Sequence, residues 1–572
     1  TGETITAGGT GVPAFGATTG ALWNIGGMNT LAGGLLVSSD TTLYSSNGNL
    51  VLAGVGLNGP ANANLTIQGA GGVTLLSPPA IGAGTITQNG TGALVFGYTL
   101  AGIPANVIHN TGALGFDGTQ NLGAVNVPAG LAYLFNSDPG AGTTVTAPAG
   151  TGVIATYAVD QNLVSRINGA SAGALVLGVN SGNNLNLAGT GLGLGAFGRV
   201  TYSGTITPDT AGYRFAGVPA GIGAGLTPNQ LTLTQPLTGT NALTVAGGTV
   251  NATRLTNTQN GTVNLSGGTL QVLNNQNLGA VGNVITLTNG GTLELINNAR
   301  NTGALFAHLG NPTTGGMRQI SVGTGGGTIS LVSYDSLNSL YVLAGNGTTP
   351  ALTGSGALTK TGYGNLMSTT SHNFSGSLTI TSQGGGFEMR GSGAVPNIAS
   401  VTVNQDGYFI VDNQNGWGRY GSVHNANRVN DAAPITLNGG FLYYRGRNAA
   451  GQTAESFGAT TIGEGHAMIR HEISGQGTDV TMANITRADH GTVRIENNAG
   501  AFGSTVNNPR QFFTQINGAA PVTTNILDGW VFINNNGGYD FAAYDTTAGV
   551  GLKTSTYTDR KSTRLNSSHR IR

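Results

Sequence analysis

Residues 284–296 read VITLTNGGTLELI. Ile285 and Leu287 alternate with Thr286 and Thr288, and beyond the glycine pair Leu293 and Leu295 flank Glu294. A period of two turns aliphatic side chains to one face of an extended chain and polar ones to the other, the mark of a strand buried on one side. The Asn-Gly and Gly-Gly steps between the halves supply positive φ at little steric cost, so a tight turn is expected there. The same strand, turn and strand return in APITLNGGFLYYR (433–445), VTVNQDGYFIV (401–411), TVAGGTVNAT (244–253) and TVNLSGGTLQVL (262–273).

Short strands with glycine turns suit either a sandwich array or a solenoid, and the turn spacing favours the solenoid. The triplet GGT recurs at 247, 267 and 290, steps of about twenty residues that match one rung of a coiled parallel sheet. Each rung leaves backbone donors and acceptors above and below, and stacking at about 4.8 Å satisfies them. Apolar spacing of helical period does not persist between the glycines, so no amphipathic helix is expected. The fold class is therefore all-β, a parallel β-helix (β-solenoid) forming an elongated rod. Leu, Val, Ile and Ala fill its narrow interior, Thr, Ser and Asn face out, and glycines turn the corners. In GSGALTKTGYGNL (354–366), Ala357, Leu358 and Leu366 read as strand material bracketed by glycines. Lys360 is expected to stand outward in water, where a cation discourages lateral sheet pairing.

Composition agrees with thin layers rather than one thick core. Of 572 residues 99 are glycine, and only 8% are charged, against roughly 25% in ordinary soluble domains. At 39% hydrophobic the chain is too apolar and too uncharged for disorder. With no cysteine, disulfides, thiolate metal sites and cysteine nucleophiles are excluded. No run of about 18 apolar residues predicts a membrane-spanning helix. The final stretch DRKSTRLNSSH (559–569) resembles the in-frame translation of a sequencing-library adapter, which makes 559–572 a non-native tail in expectation. Without it the chain holds 17 basic and 21 acidic residues, a net of −4, and neither nucleic acid nor an anionic membrane is an expected partner.

GSGALTKTGYGNLMSTTSHNFSGSLTI (354–380) resembles the autotransporter-associated β-strand repeat. Gly354, Gly356, Leu358, Lys360, Gly362, Gly364 and Leu366 match its pattern, and Phe374 stands where tyrosine is usual, followed by Gly376, Thr379 and Ile380. Met367 and His372 depart from it, with little expected consequence. NLSGGTLQVLNNQNLGAVGN (264–283) resembles the companion segment; RVTYSGTITPDTAGYRFAG (199–217) and DGWVFINNNGGYDFAAYDTTAGV (528–550) resemble segments of large surface proteins that carry such repeats. The resemblance implies a secreted passenger-like β-helix of a bacterial surface protein, followed in such proteins by an outer-membrane barrel or another anchor. The expected organisation is a repeat-bearing solenoid over 1–386, a more charged and aromatic continuation with decorated loops over 387–500, and terminal rungs over 501–558.

The charge distribution singles out one place for chemistry. Residues 1–386 hold 15 charged groups, whereas 387–500 hold 18 in less than a third of that length. Asp406 and Asp412 there form an acid/base pair for sugar hydrolysis if they share a face, or cap turns beside Gly407 and Asn413, the preferred reading. Arg419, His424 and Arg428, with Trp417 and Tyr420 stacking, suit an acidic sugar; solvated loop residues are the plainer account, and Asp431 joins the set only if all converge in one groove. His466 and His471 in HAMIRHE (466–472) differ by five and so face opposite ways along a strand, which disfavours a shared metal. His471, in step with Ile469 and Ile473, is expected inward; Arg470 and Glu472 read as a surface ion pair of little energetic value. No catalytic, cofactor-binding or metal-ligating residue is therefore assigned, and no cofactor is expected.

The expected role is a non-enzymatic, extracellular stalk or adhesive surface at the bacterial cell surface. Its expected partners are surface glycans, other cells or further copies of itself, with membrane contact only through a separate anchor. The alternative is a carbohydrate-active enzyme or lectin with its site in 387–500. Ice or mineral binding through threonine ladders is disfavoured, because the chain lacks a strict T-x-T repeat.

Overall fold

The computed structural model describes residues 3–11, 20–53, 57–60, 62–219, 222, 229–297, 306–308, 310–311, 316–333, 340–343, 351–381, 385–414, 423–447, 452–473, 477–503, 507–523 and 526–552. The chain is 49% strand and 2% helix, coiled as a β-solenoid of about 18 turns. It divides into two compact units, Thr1–Gln271 and Val272–Arg572. The adapter-like tail, and with it the expectation for 559–572, lies outside the described residues.

In the first unit a parallel ladder climbs through Asn49–Leu52, Gly72–Leu75, Ala93–Phe96, Ala113–Phe116, Ala132–Phe135, Gly152–Ala155, Ala174–Leu177 and Gly193–Ala196. Leu94, Leu114, Tyr133, Val153, Leu175 and Leu194 stack in register as one buried column. Beside it Phe96, Phe116 and Phe135 stack with ring centroids 6.1 and 5.4 Å apart. The opposite face of this sheet is apolar as well: Leu134, Ile154 and Val176 are covered by Ile222 and Val218. An α-helix of the unit, Gln161–Arg166, starts at Asp160, whose carboxylate accepts from the amides of Asn162 and Leu163.

The second unit carries three parallel ladders. One turn of it is Leu352–Gly354, Leu358–Thr361 and Asn365–Ser368; the next is Asn373–Phe374, Ser377–Ile380 and Gly386–Met389. Leu358 pairs with Leu378, the twenty-residue step that the glycine triplets predict. Elsewhere insertions widen the step, so that Ile285 pairs with Ile320, Gly327 with Leu358, Val401 with Ile435 and Val493 with Val531. After Val531–Asn535 the chain reverses, and Gly538–Asp545 and Gly549–Leu552 add as antiparallel strands.

Corners interrupt the ladder and leave carbonyls without a backbone donor, which a buried chain cannot tolerate. Glycine supplies the geometry: Gly354 and Gly362 sit at φ 97 and 82. A Cβ on Gly356 would lie 1.9 Å from the Gly323 carbonyl oxygen, and one on Gly376 would lie 1.9 Å from that of Gly356.

Buried cations and amides donate to these corner carbonyls, alone or beside a backbone amide. Lys360 is the clearest case, and it corrects the sequence expectation. Its side chain is fully buried, in register with Ile329 below and Ile380 above, and its ammonium donates to the Gly362 carbonyl at the following corner. Burial pulls it down to about 7. Arg318, also buried, donates to the carbonyls of Asn275, Gly279 and Ala280 around a short 3-10 turn. Gln88 Nε2 donates to Gly90 and Gly92 at 2.8 and 2.9 Å. The donors of Lys360, Arg318 and Gln88 thus pair with the backbone, as burial favours.

Candidate functional site

The charged segment lies on the third ladder of the second unit: Gly386–Met389, Tyr408–Asp412, Phe441–Arg445, His466–Glu472, Thr492–Asn497 and Val531–Asn535. Alternation buries Phe409, Leu442, Ile469, Ile495 and Ile533 on one face. The other face carries charges of alternating sign, strand over strand. Arg390 Nη2 lies 2.5 Å from Glu388 and 2.7 Å from Asp412. Arg445 lies 3.4 Å from Asp412 and 2.6 Å from Glu472. Arg470 joins Glu472 to Glu496, each at 3.2 Å, and Arg494 closes on Glu496 at 2.9 Å. The Arg470–Glu472 pair read from the sequence is therefore one link of a longer chain of ion pairs.

Two columns of larger side chains share this face. Tyr408, Phe441, Met468, Arg494, Phe532 and Phe541 stand in register across six strands, and Ile410, Tyr443, Arg470, Glu496, Asn534 and Tyr539 form the column beside them. Tyr408 packs on Phe441 and Tyr443 with centroids 5.0 and 5.4 Å apart, the Arg470 guanidinium sits 5.6 Å from the Tyr443 ring, and Phe532 stacks on Phe541 at 5.3 Å. The register survives the reversal at residue 536, because Phe541 opposes Phe532 and Tyr539 opposes Asn534.

Among the described residues, the carboxylate candidates read from the sequence do not assemble. Asp406 is exposed in a turn at φ 60, while Asp412 ends the strand that follows, fully buried between Arg390 and Arg445. The extended run Tyr408–Asp412 alone spans roughly 13 Å, beyond the roughly 5–9.5 Å of a glycosidase pair. Asp412 also caps a turn, accepting from the Gln414 amide at 2.7 Å. Asp431 is exposed ahead of Ile435–Asn438, a strand of a different ladder. Arg428 is buried and donates to Gly391, Gly393, Val423 and Asn413, a corner clamp like Arg318. Beside it Glu455 accepts from the Val429 amide, and burial raises its carboxyl to about 8. His424 is half-buried; burial first, then Arg447 and Arg428, lower its affinity for a proton. Trp417, Arg419 and Tyr420 lie outside the described residues.

The histidines follow the parity argument. His466 is exposed, whereas His471 is fully buried, bonded to Thr478 at 2.8 Å and to Gln511 at 3.2 Å, and held at about 4 by burial. Among the described residues no group of three histidine, aspartate or glutamate side chains is placed to hold a metal ion.

Two constellations escaped the sequence reading. Glu388 and Asp412 share the Arg390 donor, and burial outweighs the neighbouring arginines to raise the Glu388 carboxyl above its usual range. Strand parity carries the signal, since Glu388 and Arg390 are the even positions beside inward Phe387 and Met389. Ser368 Oγ lies 2.8 Å from His372 Nε2, both buried. This resembles a nucleophile–base pair but has the wrong tautomer. The Leu352 amide donates to His372 Nδ1, so Nε2 carries the hydrogen and donates to the serine, which in turn donates to the Thr370 carbonyl. His372 is an interior strut, with more consequence than the sequence reading gave it.

No protein-family model, no curated protein and no solved structure matches the chain.

Proposed function

We propose that the chain is a structural and adhesive β-solenoid, non-enzymatic and extracellular, from an autotransporter-like bacterial surface protein. The observation that carries the reading is a column of eight threonines. Thr292, Thr328, Thr359, Thr379, Thr402, Thr436, Thr461 and Thr486 are in register on the outward face of the second ladder, each half-buried. The T-x-T regularity missing along the sequence thus arises across rungs. Such a face is neutral and branched at Cβ, and Thr461 bonds to Thr486 across it at 3.3 Å. It stiffens a sheet and stays soluble without charge.

The reactive groups support the same reading, because the Ser368–His372 and Glu388–Asp412 pairs are sealed and engaged in holding strands. The repeat motif at 354–380 supports the secreted context. Surface proteolysis of intact source cells, read with an antibody to the chain, tests the location. Loss of the band with cytosolic markers intact is expected; a protected, cytosolic band overturns it. Release of reducing ends from polysaccharide by the purified chain would overturn the non-enzymatic part.

A further inference from the structure

We propose that the two outward columns of the third ladder, from Tyr408 to Phe541, form a platform for a single straight, uncharged glycan chain; the proposal deepens the adhesive reading and rests on it. The columns are two residues apart on each strand, about 7 Å, and six strands span about 24 Å at 4.8 Å each. The strip therefore covers on the order of 200 Å2, far below the roughly 800 Å2 per partner of a stable protein interface. One polysaccharide strand has that width, and the strand spacing is close to the length of one pyranose residue in an extended chain.

The chemistry fits the same ligand. Hexose rings offer apolar C–H faces to aromatic faces, and half-buried Phe441, Tyr443 and Phe532 recur along the strip with Phe541 and Tyr539 40% and 72% exposed, while Ile410, Met468 and Glu496 lie buried between them. Between them Arg470 is paired to Glu472 and Glu496, and Arg494 to Glu496, so both guanidiniums are neutralised locally and do not draw an acidic polymer, yet their half-buried edges offer donors to hydroxyls. The chain reversal after Val531–Asn535 keeps both columns in phase, extending the strip by one strand where a change of register would have ended it.

The test is calorimetric titration of the intact chain with cellohexaose and chitohexaose, which are straight, and maltohexaose, which is curved. Binding of a straight hexasaccharide is expected, weakened roughly tenfold or more in Tyr443→Ala and in Phe441→Ala and unchanged in Tyr363→Ser, an exposed aromatic outside the strip. Circular dichroism melts of each variant establish that the fold is retained. The proposal is overturned if none of the sugars binds, if only maltohexaose binds, or if folded variants bind like the parent. It is also overturned if light scattering shows a dimer that Tyr443→Ala dissolves, which would assign the face to a second copy. Any of these results leaves the surface location, measured by proteolysis of cells, standing or falling separately.

Discussion

Lys360 shows what one residue does in this fold. Its neighbours Leu358 and Ile380 are buried, and parity puts Leu358 and Lys360 on one face. That parity was legible in the sequence; the expectation that a cation must face water overrode it. The corner explains the outcome, because the Gly362 carbonyl needs a donor that a long flexible side chain can deliver from within the core. The consequence is measurable. In the unfolded chain the ammonium titrates near 10.5, whereas in the fold burial holds it at about 7. Between these values the unfolded state binds the extra proton, so stability rises with pH from about 7 to 10.5 and is insensitive to this group below 7. The slope contributed approaches about 1.4 kcal/mol per pH unit. Urea midpoints of the parent and Lys360→Met, compared between pH 7.5 and 9.5, should diverge by that pH-dependent amount; parallel curves would show the lysine charged in the fold.

At the scale of elements, glycine corners and ion-pair ladders set stability in opposite styles. The close approach of Gly356 to Gly323 leaves no room for a Cβ, so Gly356→Ala should cost roughly 2–4 kcal/mol in urea unfolding through a forced backbone shift. Gly282, whose added Cβ would meet nothing within 4 Å, should accept alanine at little cost. In the ion-pair ladder Asp412 is the buried hinge between Arg390 and Arg445. Asp412→Asn leaves buried Arg390 to share Glu388 alone and weakens the hold on Arg445, which keeps Glu472, so about 3 kcal/mol should be lost. Arg494→Gln at the more open end should fall within about 1 kcal/mol of the parent. The strands and their turns were legible from period two and from glycine. The ladder was not, because its sign alternation exists only between rungs: Asp412, Arg445 and Glu472 are neighbours in register yet scattered along the chain.

For the molecule as a whole the rung step was written in the GGT spacing because stacked corners repeat the same steric demand. The wider steps, as from Ile285 to Ile320 or Val401 to Ile435, were not, since inserted loops carry no period. Nor does the turn pattern of 528–550 distinguish another parallel rung from the antiparallel pair that forms. That pair bears on association. A parallel ladder ending at Val531–Asn535 would present a bare row of amides and carbonyls beside the Phe532 ring, an edge that recruits other strands. Gly538–Asp545 covers that row, and Gly549–Leu552 pairs with it in turn. Truncation after Asn536 should therefore leave the preceding rungs folded, with an unchanged strand signal in circular dichroism, but make the chain associate with rising concentration in light scattering. A truncated chain that stays monomeric would show that the outward side chains of Val531–Asn535 protect the edge unaided, and that the reversed strands serve the continuity of the surface columns instead.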